Sequence, residues 1–191
     1  MFLLRGGDEL KDLFTRNHLW LGVKYFIISL FVGVIVRGFL LIPVPVTGNS
    51  MDQTLTQGDM ILMEKFSKVK RFDVIVFQQP DGTIYIKRVI GLPGDEIRYE
   101  KDQLFINGEK VSESFLTNNR NHDHQVSPYT TDFQLEELLG ERRLPKNEYF
   151  VLGDNRRISK DSRSFGTVQS KDILGKAQAV YYPLTHIKII S

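Results

Sequence analysis

Ser50 and Lys87 are residues whose types and surroundings in this 191-residue chain could support nucleophilic chemistry. Ser50 comes two positions after Gly48 in a polar stretch, and Lys87 interrupts a run of strand-forming apolar residues. A serine hydroxyl is a weak nucleophile at neutral pH and needs a base beside it. A lysine can be that base only when it is neutral, and burial among apolar side chains lowers the pKa of its amine. The pair therefore predicts a serine that is activated by a buried lysine.

The strand that would carry Lys87 sets the direction of its side chain. Because side chains alternate along a strand, we expect Lys87 to share a face with Tyr85 and Val89. Gly48 permits unusual backbone dihedral angles beside Ser50, which suits a turn that presents backbone N–H groups to an oxyanion. Each residue is also compatible with an ordinary structural role, since serines are common in turns and strand lysines often extend into solvent.

Four segments of the chain carry motifs that occur in a fixed order. They are Gly48–Leu55 (GNSMDQTL), Arg71–Phe77 (RFDVIVF), Lys87–Asp95 (KRVIGLPGD) and Gly153–Gly166 (GDNRRISKDSRSFG). These segments resemble the motifs G-x-S-M-x-P-T-L, R-G-D-I-V-V-F, K-R-V-I-G-x-P-G-D and G-D-N-R…S-x-D-S-R-x-x-G of type I signal peptidases. Those enzymes are membrane proteins that remove signal peptides from exported proteins. The resemblance extends from Tyr25 to Pro183, and its last two motifs are long and specific.

The resemblance implies a role for each matching position. It makes Ser50 the nucleophile and Lys87 the general base of a Ser-Lys dyad, with no metal or other cofactor. Gly48 lies where some members carry an oxyanion-hole serine, so the hole would depend on the Ser50 N–H and other donors. Ser159 would hydrogen-bond the lysine amine and orient it. Arg88 and Asp154 fall where the family has a salt bridge beside the site, and Asp161 and Arg163 fall on charged positions that brace the active-site floor.

Two departures from the family pattern bear on the activity. Gln53 replaces the proline of the first motif, which predicts a less rigid turn, and the pair Arg157-Ile158 is unusual within the fourth motif.

One alternative function is that of a non-cleaving assembly factor that binds exported surface proteins such as pilins; the presence of both Ser50 and Lys87 argues against it. Another is a self-cleaving repressor-type protease, which would lack an anchor and the fourth motif.

Composition excludes several kinds of site. The chain has 25 basic and 23 acidic residues and a net charge of +2, which gives no reason to expect binding to nucleic acid. It has no cysteine, so disulfides and thiolate metal sites are excluded. Two of its four histidines, His122 and His124, are close together, but no third ligand is suitably spaced, and we expect a solvated loop there. The sequence indicates no oligomeric state.

An apolar segment near the N-terminus predicts a membrane anchor. Residues 19–42 are long enough to cross a bilayer, with Lys24 and Arg37 extending toward opposite interfaces. Basic residues before this segment favour an N-terminus in the cytoplasm, formed by residues 1–18. The catalytic domain, formed by residues 43–191, would then lie outside the cytoplasm. The expected location is therefore the cell membrane, and the expected partners are signal peptides and membrane lipid.

The apolar segment is also compatible with a cleavable signal peptide or with a buried core helix. The signal peptide ranks below the anchor because no small-x-small cleavage site follows the apolar run. The buried core helix ranks below both.

Short strands separated by turn residues predict a mainly β catalytic domain, folded as a sheet or barrel of the signal peptidase type. Seven strands are predicted: Met60–Met63, Val74–Phe77, Thr83–Ile90, Glu96–Tyr99, Gln103–Ile106, Tyr149–Leu152 and Ala177–Tyr182. The polar segment from about 111 to 147 is expected to be an insertion over the barrel, with one short helix at Phe133–Leu139. The apolar runs Phe39–Ile42 and Ile61–Met63 could rest against lipid, although Ile61–Met63 fits a core strand equally well.

Overall fold

The computed structural model describes residues 6–35 and 42–190, which fall into two compact units. The first unit holds helix α1, Gly6–Ile35, and the second begins at Ile42. Of the helices in these described ranges, none is both long and apolar enough to cross a membrane. The predicted anchor, residues 19–42, lies partly outside the described residues, as does most of the apolar run Phe39–Ile42.

The described part of the second unit is mainly β, with twelve strands. These are β1 Ile42–Pro45, β2 Met60–Glu64, β3 Val74–Gln78, β4 Ile84–Gly91, β5 Ile97–Glu100, β6 Gln103–Ile106, β7 Glu109–Val111, β8 Phe133–Gln134, β9 Glu148–Leu152, β10 Val168–Gln169, β11 Ile173–Tyr182 and β12 Lys188–Ile189. Three short helices lie between them: α2 Thr117–His122, α3 Leu135–Leu139 and α4 Ser162–Phe165.

The strands form two antiparallel sheets. The larger sheet has the order β1-β2-β11-β3-β4-β9-β10, with β12 beside β11, and the smaller has the order β7-β6-β5-β8. The long strand β11 pairs with β2 through its C-terminal part and with β3 through its N-terminal part. This pairing brings β2 and β3 into one sheet, so that β1 and β4 belong to the same framework.

Apolar periodicity explains how the strands pack. Along β2 every second side chain is buried, as expected when one face of a strand packs on the core. In β3, Val74–Phe77 are all buried, as expected for a strand covered on both faces. The core is divided into three clusters, and the largest lies around Tyr99 and Phe150 and includes residues from the smaller sheet.

The seven predicted strands are all present: Gln103–Ile106 has the predicted ends, and no end of the other six shifts by more than four residues. The predicted helix at Phe133–Leu139 is shorter, because its first two residues pair as β8 and the helix begins at Leu135. Ile61 and Met63 are 0% and 3% exposed, so this run is a core strand and the expectation that it rests on lipid is wrong. The segment from 111 to 147 supplies buried core residues, among them Leu116 and Leu135.

Candidate active site

The side chains of Ser50 and Lys87 are in contact. Ser50 lies in the turn after β1, and Lys87 lies in β4, directly opposite Ile75 of β3. The Lys87 Nζ donates to the Ser50 Oγ at 2.5 Å. When the amine is neutral, the same contact allows the serine hydroxyl to donate to Nζ instead, which is the arrangement that proton transfer from serine requires.

The surroundings of Lys87 favour the neutral amine. The side chain is 2% exposed, and its burial lowers the pKa of Lys87 to about 8, although the carboxylates of Asp161 and Asp154 oppose that shift. The Nζ lies 5.3 Å from the centroid of the Tyr85 ring, so Lys87 and Tyr85 share a face, as the strand alternation predicts. With this pKa about a tenth of the lysine is neutral at pH 7, far more than for an ordinary lysine, and the neutral form is the one that can act as a general base.

The turn that carries Ser50 depends on two residues with positive φ. Gly48 has a φ of +82°, and a Cβ at this position would meet no atom within 4 Å, so the backbone on this side of the turn is open. Gln53 has a φ of +74°, whereas proline is restricted to a φ near −65°. The proline of the family motif is incompatible with this backbone, which accounts physically for a non-proline residue here. A backbone hydrogen bond from the Leu55 N–H to the Met51 carbonyl oxygen at 2.7 Å closes the turn.

The predicted ion pair between Arg88 and Asp154 is present. The Arg88 Nε and Nη2 donate to the two Asp154 carboxylate oxygens at 2.9 and 2.8 Å, and both side chains are fully buried. The Thr54 hydroxyl donates to the same carboxylate at 2.6 Å. Arg88 is thus tied at once to the fourth motif and to the nucleophile turn.

The backbone segment that Arg88 contacts departs from the second family motif at Phe72. The Arg88 Nη1 donates to the Phe72 carbonyl oxygen at 2.8 Å. Phe72 has a φ of +69° and stands where the second family motif has glycine, the residue that adopts this conformation without strain. Its ring packs against Phe115 with centroids 5.1 Å apart, a contact that a glycine could not make.

Asp161 and Arg163 brace the end of β9. The Arg163 guanidinium donates to both Asp161 carboxylate oxygens at 2.8 Å, and the Gly153 N–H donates to Asp161 at 3.0 Å. A Cβ at Gly153 would overlap the Ser159 side chain and the Ser50 carbonyl oxygen, so only glycine fits there. The Ser159 hydroxyl is buried and has no hydrogen-bond partner among the described residues. Its role in orienting Lys87 stays a prediction.

Several residues around this site carry no signal in the sequence. Arg156 and Glu113 form a fully buried ion pair at 2.5 Å, and the Tyr129 hydroxyl donates to the Asp154 carbonyl oxygen at 2.8 Å. Glu113 and Tyr129 come from the segment between 111 and 147, which matches none of the four motifs. Only Arg156, a charged residue within the fourth motif, could have indicated that a carboxylate partner exists elsewhere.

A cleft of about 470 Å³ lies beside Ser50 and Lys87. One wall is residues 44–51, the other is residues 83–87 of the β4 region, and Ile158 and Lys160 lie at its rim. The apolar lining includes Val44, Ile84 and Ile86. The cleft therefore offers a mainly apolar surface beside the serine hydroxyl.

A metal centre finds no support in the part of the chain that the structure describes. Within residues 6–35 and 42–190, no group of three or more histidine, cysteine, aspartate or glutamate residues is arranged to hold a metal ion. His122 and His124 are both exposed, as expected, but only His124 lies in a loop, since His122 is the last residue of α2.

Comparison with known proteins places the chain in one family. A family model described as signal peptidase, peptidase S26, matches residues 19–182. The chain is 42% identical over 156 residues to signal peptidase I V of Bacillus subtilis (strain 168), covering 78% of this chain and 90% of that protein. It is 37% identical over 187 residues to a signal peptidase I of Bacillus licheniformis, covering 94% of this chain and 97% of that protein.

A solved structure agrees with this assignment. A crystal structure of a signal peptidase I from Enterococcus faecalis V583 matches with a TM-score of 0.55 and 42% sequence identity, covering 58% of this chain and 97% of that chain. The resemblance to type I signal peptidases in the four motifs is therefore confirmed. The chain belongs to the signal peptidase family of serine peptidases, peptidase S26.

Proposed function

We propose that this chain is a membrane-anchored endopeptidase that cleaves signal peptides from exported preproteins, with Ser50 as nucleophile and Lys87 as general base. The observation that carries the proposal is the 2.5 Å contact between the Ser50 hydroxyl and a buried lysine whose pKa is lowered to about 8. The relatives named signal peptidase I support the choice of substrate.

The reaction follows from the positions of the two side chains. Neutral Lys87 takes the hydroxyl proton as Ser50 Oγ attacks the carbonyl carbon of the scissile peptide bond. The resulting oxyanion faces the turn at Gly48, where backbone N–H groups such as that of Ser50 can donate to it. The lysine ammonium then gives its proton to the departing amine, which leaves an ester on Ser50. Lys87 next takes a proton from water as the water oxygen attacks the ester carbon. The bond from that carbon to Ser50 Oγ then breaks, the ammonium returns its proton to Ser50 Oγ, and the new carboxyl terminus is released.

The edges of two strands offer a place for an extended substrate. Strand β1 is at the end of the larger sheet and pairs only with β2 among the described strands. In β4, residues 84–87 pair with β3, whereas pairing with β9 starts at Arg88. Both unpaired edges line the cleft, so a signal peptide can add there as a strand through its backbone.

The apolar cleft suits small side chains before the cut site. Its walls around Ser50 are made by well-packed residues such as Val46 and Met51, which are 4% and 2% exposed and leave little room to move. We therefore propose cleavage after a small residue, with a second small residue two positions earlier, because alternate side chains of a strand face the same wall.

The proposed membrane organisation has three parts: residues 1–18 in the cytoplasm, 19–42 as the anchor, and 43–191 outside. In support, the large apolar side chains of α1 between Trp20 and Val34 are exposed to at least 46%. Exposed apolar side chains are suited to a lipid environment. Membrane lipid is accordingly a proposed partner of the chain.

The test uses the full chain in lipid vesicles with a purified preprotein and its signal peptide. We expect the wild-type chain to release the mature protein at one site after a small residue, and Ser50→Ala to release none. Binding of the preprotein without cleavage by the folded wild-type chain would instead support the assembly-factor alternative. Equal cleavage by Ser50→Ala would exclude Ser50 as nucleophile.

The pH dependence of cleavage provides a further prediction. Because only neutral Lys87 can accept the proton, kcat/KM should fall about tenfold per pH unit below the folded-state pKa of about 8 and level off above it. The pKa of Lys87 is lower in the folded chain than in the unfolded chain. Between about pH 8 and pH 10.5 the unfolded chain therefore binds more protons, and the free energy of unfolding should rise with pH in this window. Stopped-time cleavage assays and denaturant unfolding measure the two effects. A kcat/KM that stays constant from pH 8 down to about 5 would contradict the assignment of the base.

A further inference from the structure

Helix α2 brings one amide side chain into contact with two separate parts of the site. Asn119 is buried in this helix, in a segment that matches none of the four motifs. Its Nδ2 donates to the Asp52 carbonyl oxygen at 2.8 Å and to the Asp154 carbonyl oxygen at 3.2 Å. A single NH₂ group therefore bridges two backbone segments that are far apart in sequence.

The direction of the Asn119 amide is determined by its neighbours. Both contacts of the Nδ2 are carbonyl oxygens, which only accept, so the donor end of the amide must face them. The Oδ1 is buried and has no hydrogen-bond partner among the described residues. Burial of an unpaired acceptor is unfavourable. The two hydrogen bonds that the Nδ2 donates are therefore made at the cost of leaving the Oδ1 unpaired.

The two bridged segments are those that hold the proposed dyad. Asp52 lies two residues after Ser50 in the nucleophile turn. Asp154 binds Arg88 through its carboxylate, and Arg88 is next to Lys87 in β4. The Asn119 amide thus joins the turn of the nucleophile to the ion pair beside the base.

The start of the segment that contains α2 is itself anchored on buried charges of the site. Glu113 pairs with Arg156 at 2.5 Å, and the Phe115 ring lies 4.2 Å from the Arg88 guanidinium carbon. Leu116, one turn before Asn119, is completely buried. These contacts hold the segment that leads into α2 against the site.

We propose that Asn119 is a positioning residue that sets the distance between Ser50 and Lys87. This inference rests on the proposed function, since the distance matters because proton transfer occurs across it. Loss of the bridge would let the nucleophile turn move relative to β4, and small displacements of reacting groups reduce rates strongly.

Four single variants in the full chain test the proposal by cleavage of a preprotein. Asn119→Ala removes the bridge, and kcat should fall about 10- to 100-fold with KM nearly unchanged. Asn119→Asp places an acceptor against two carbonyl oxygens, so its kcat should be lower still. Tyr129→Phe removes a hydroxyl that donates to the Asp154 carbonyl oxygen and accepts from the Arg156 N–H, but leaves the contact of Asn119 with Asp52 in place, and should cost less than Asn119→Ala. Asn118→Ala, which changes an exposed neighbour in the same helix, is the matched control and should leave kcat within about twofold.

A second measurement does not depend on peptidase activity. The pKa of Lys87 can be followed by NMR of the lysine side-chain carbons in the labelled full chain in micelles, with Lys87→Met to assign the signal. If the bridge keeps Ser50 against the amine and water away from it, Asn119→Ala should raise the pKa of Lys87 toward its ordinary value, whereas Asn118→Ala should not.

The outcomes separate this proposal from the proposed function. An inactive wild-type chain would contradict the function, and the NMR titration would still decide the role of Asn119. Unchanged kcat and unchanged Lys87 pKa in folded Asn119→Ala would overturn the role of Asn119 while leaving the peptidase intact. Asn119→Asp is expected to lose activity and to have a lowered melting temperature as well, so its loss does not separate positioning from stability. Asn119→Ala is therefore the deciding variant.

Discussion

Lys87→Met is expected to lower kcat for signal-peptide cleavage by about 10⁴- to 10⁶-fold, as removal of one member of a catalytic pair does in other serine hydrolases. The Lys87 Nζ is 2.5 Å from the Ser50 hydroxyl, and no other amine donor contacts that oxygen among the hydrogen bonds of the described residues. Methionine has a similar length and shape but cannot accept a proton. The double variant Ser50→Ala/Lys87→Met should be no slower than either single variant, because the two residues act as a unit.

The stability of Lys87→Met separates lost chemistry from lost structure. Burial of the lysine disfavours the ammonium, so replacement by an apolar side chain removes that cost. We therefore expect a melting temperature no lower than that of the wild-type chain. Lys110→Met, which changes an exposed lysine of another strand, is the matched control and should keep full activity. Turnover by Lys87→Met within about tenfold of wild type would exclude Lys87 as the base.

Asp154→Ala is expected to lower the free energy of unfolding by about 3–5 kcal/mol. The change leaves the Arg88 guanidinium completely buried without its carboxylate partner. It also removes the acceptor of the Thr54 hydroxyl, so activity should fall through displacement of the nucleophile turn. Denaturant unfolding measures the first effect, and cleavage of a preprotein measures the second.

Two controls show whether the buried charge is the cause. Glu100→Ala breaks an ion pair with Arg98 whose side chains are 45% and 36% exposed, and should cost at most about 1 kcal/mol. The double variant Arg88→Met/Asp154→Leu leaves no unpaired buried charge and should be more stable than Asp154→Ala. If Asp154→Ala and Glu100→Ala had the same free energy of unfolding, the loss of stability in Asp154→Ala could not be due to an unpaired buried charge.

Much of the β framework was predictable because strands depend on local patterns. Alternating or continuous apolar residues between turn signals place strands such as β2 and β3 without knowledge of their partners. Short strands such as β8 and β10 were not predicted, since two residues carry no period and form only where a neighbour is already in place. The same limit explains why Phe133–Leu139 was predicted as one helix.

The motifs placed most of the candidate site, but not its supporting contacts. Arg88 and Asp154 lie in separate motifs, and the resemblance was sufficient to predict that they pair. By contrast, Asn119 and Tyr129 lie in a polar stretch without a motif, so nothing local indicates that they contact Asp154. A hydrogen-bond partner across the fold leaves no periodic trace in the sequence.

The sequence by itself determined that a serine turn and an apolar strand with one lysine exist in a mainly β chain, because residue type, turn chemistry and strand period are local properties. Only the tertiary structure decided that Ser50 meets Lys87 at 2.5 Å, that the lysine is buried, and that Ile61–Met63 belongs to the core. The physical reason is that burial, and hence the pKa of Lys87, depends on which distant segments pack against it. A run of apolar residues looks the same in sequence whether its neighbour is lipid or another strand.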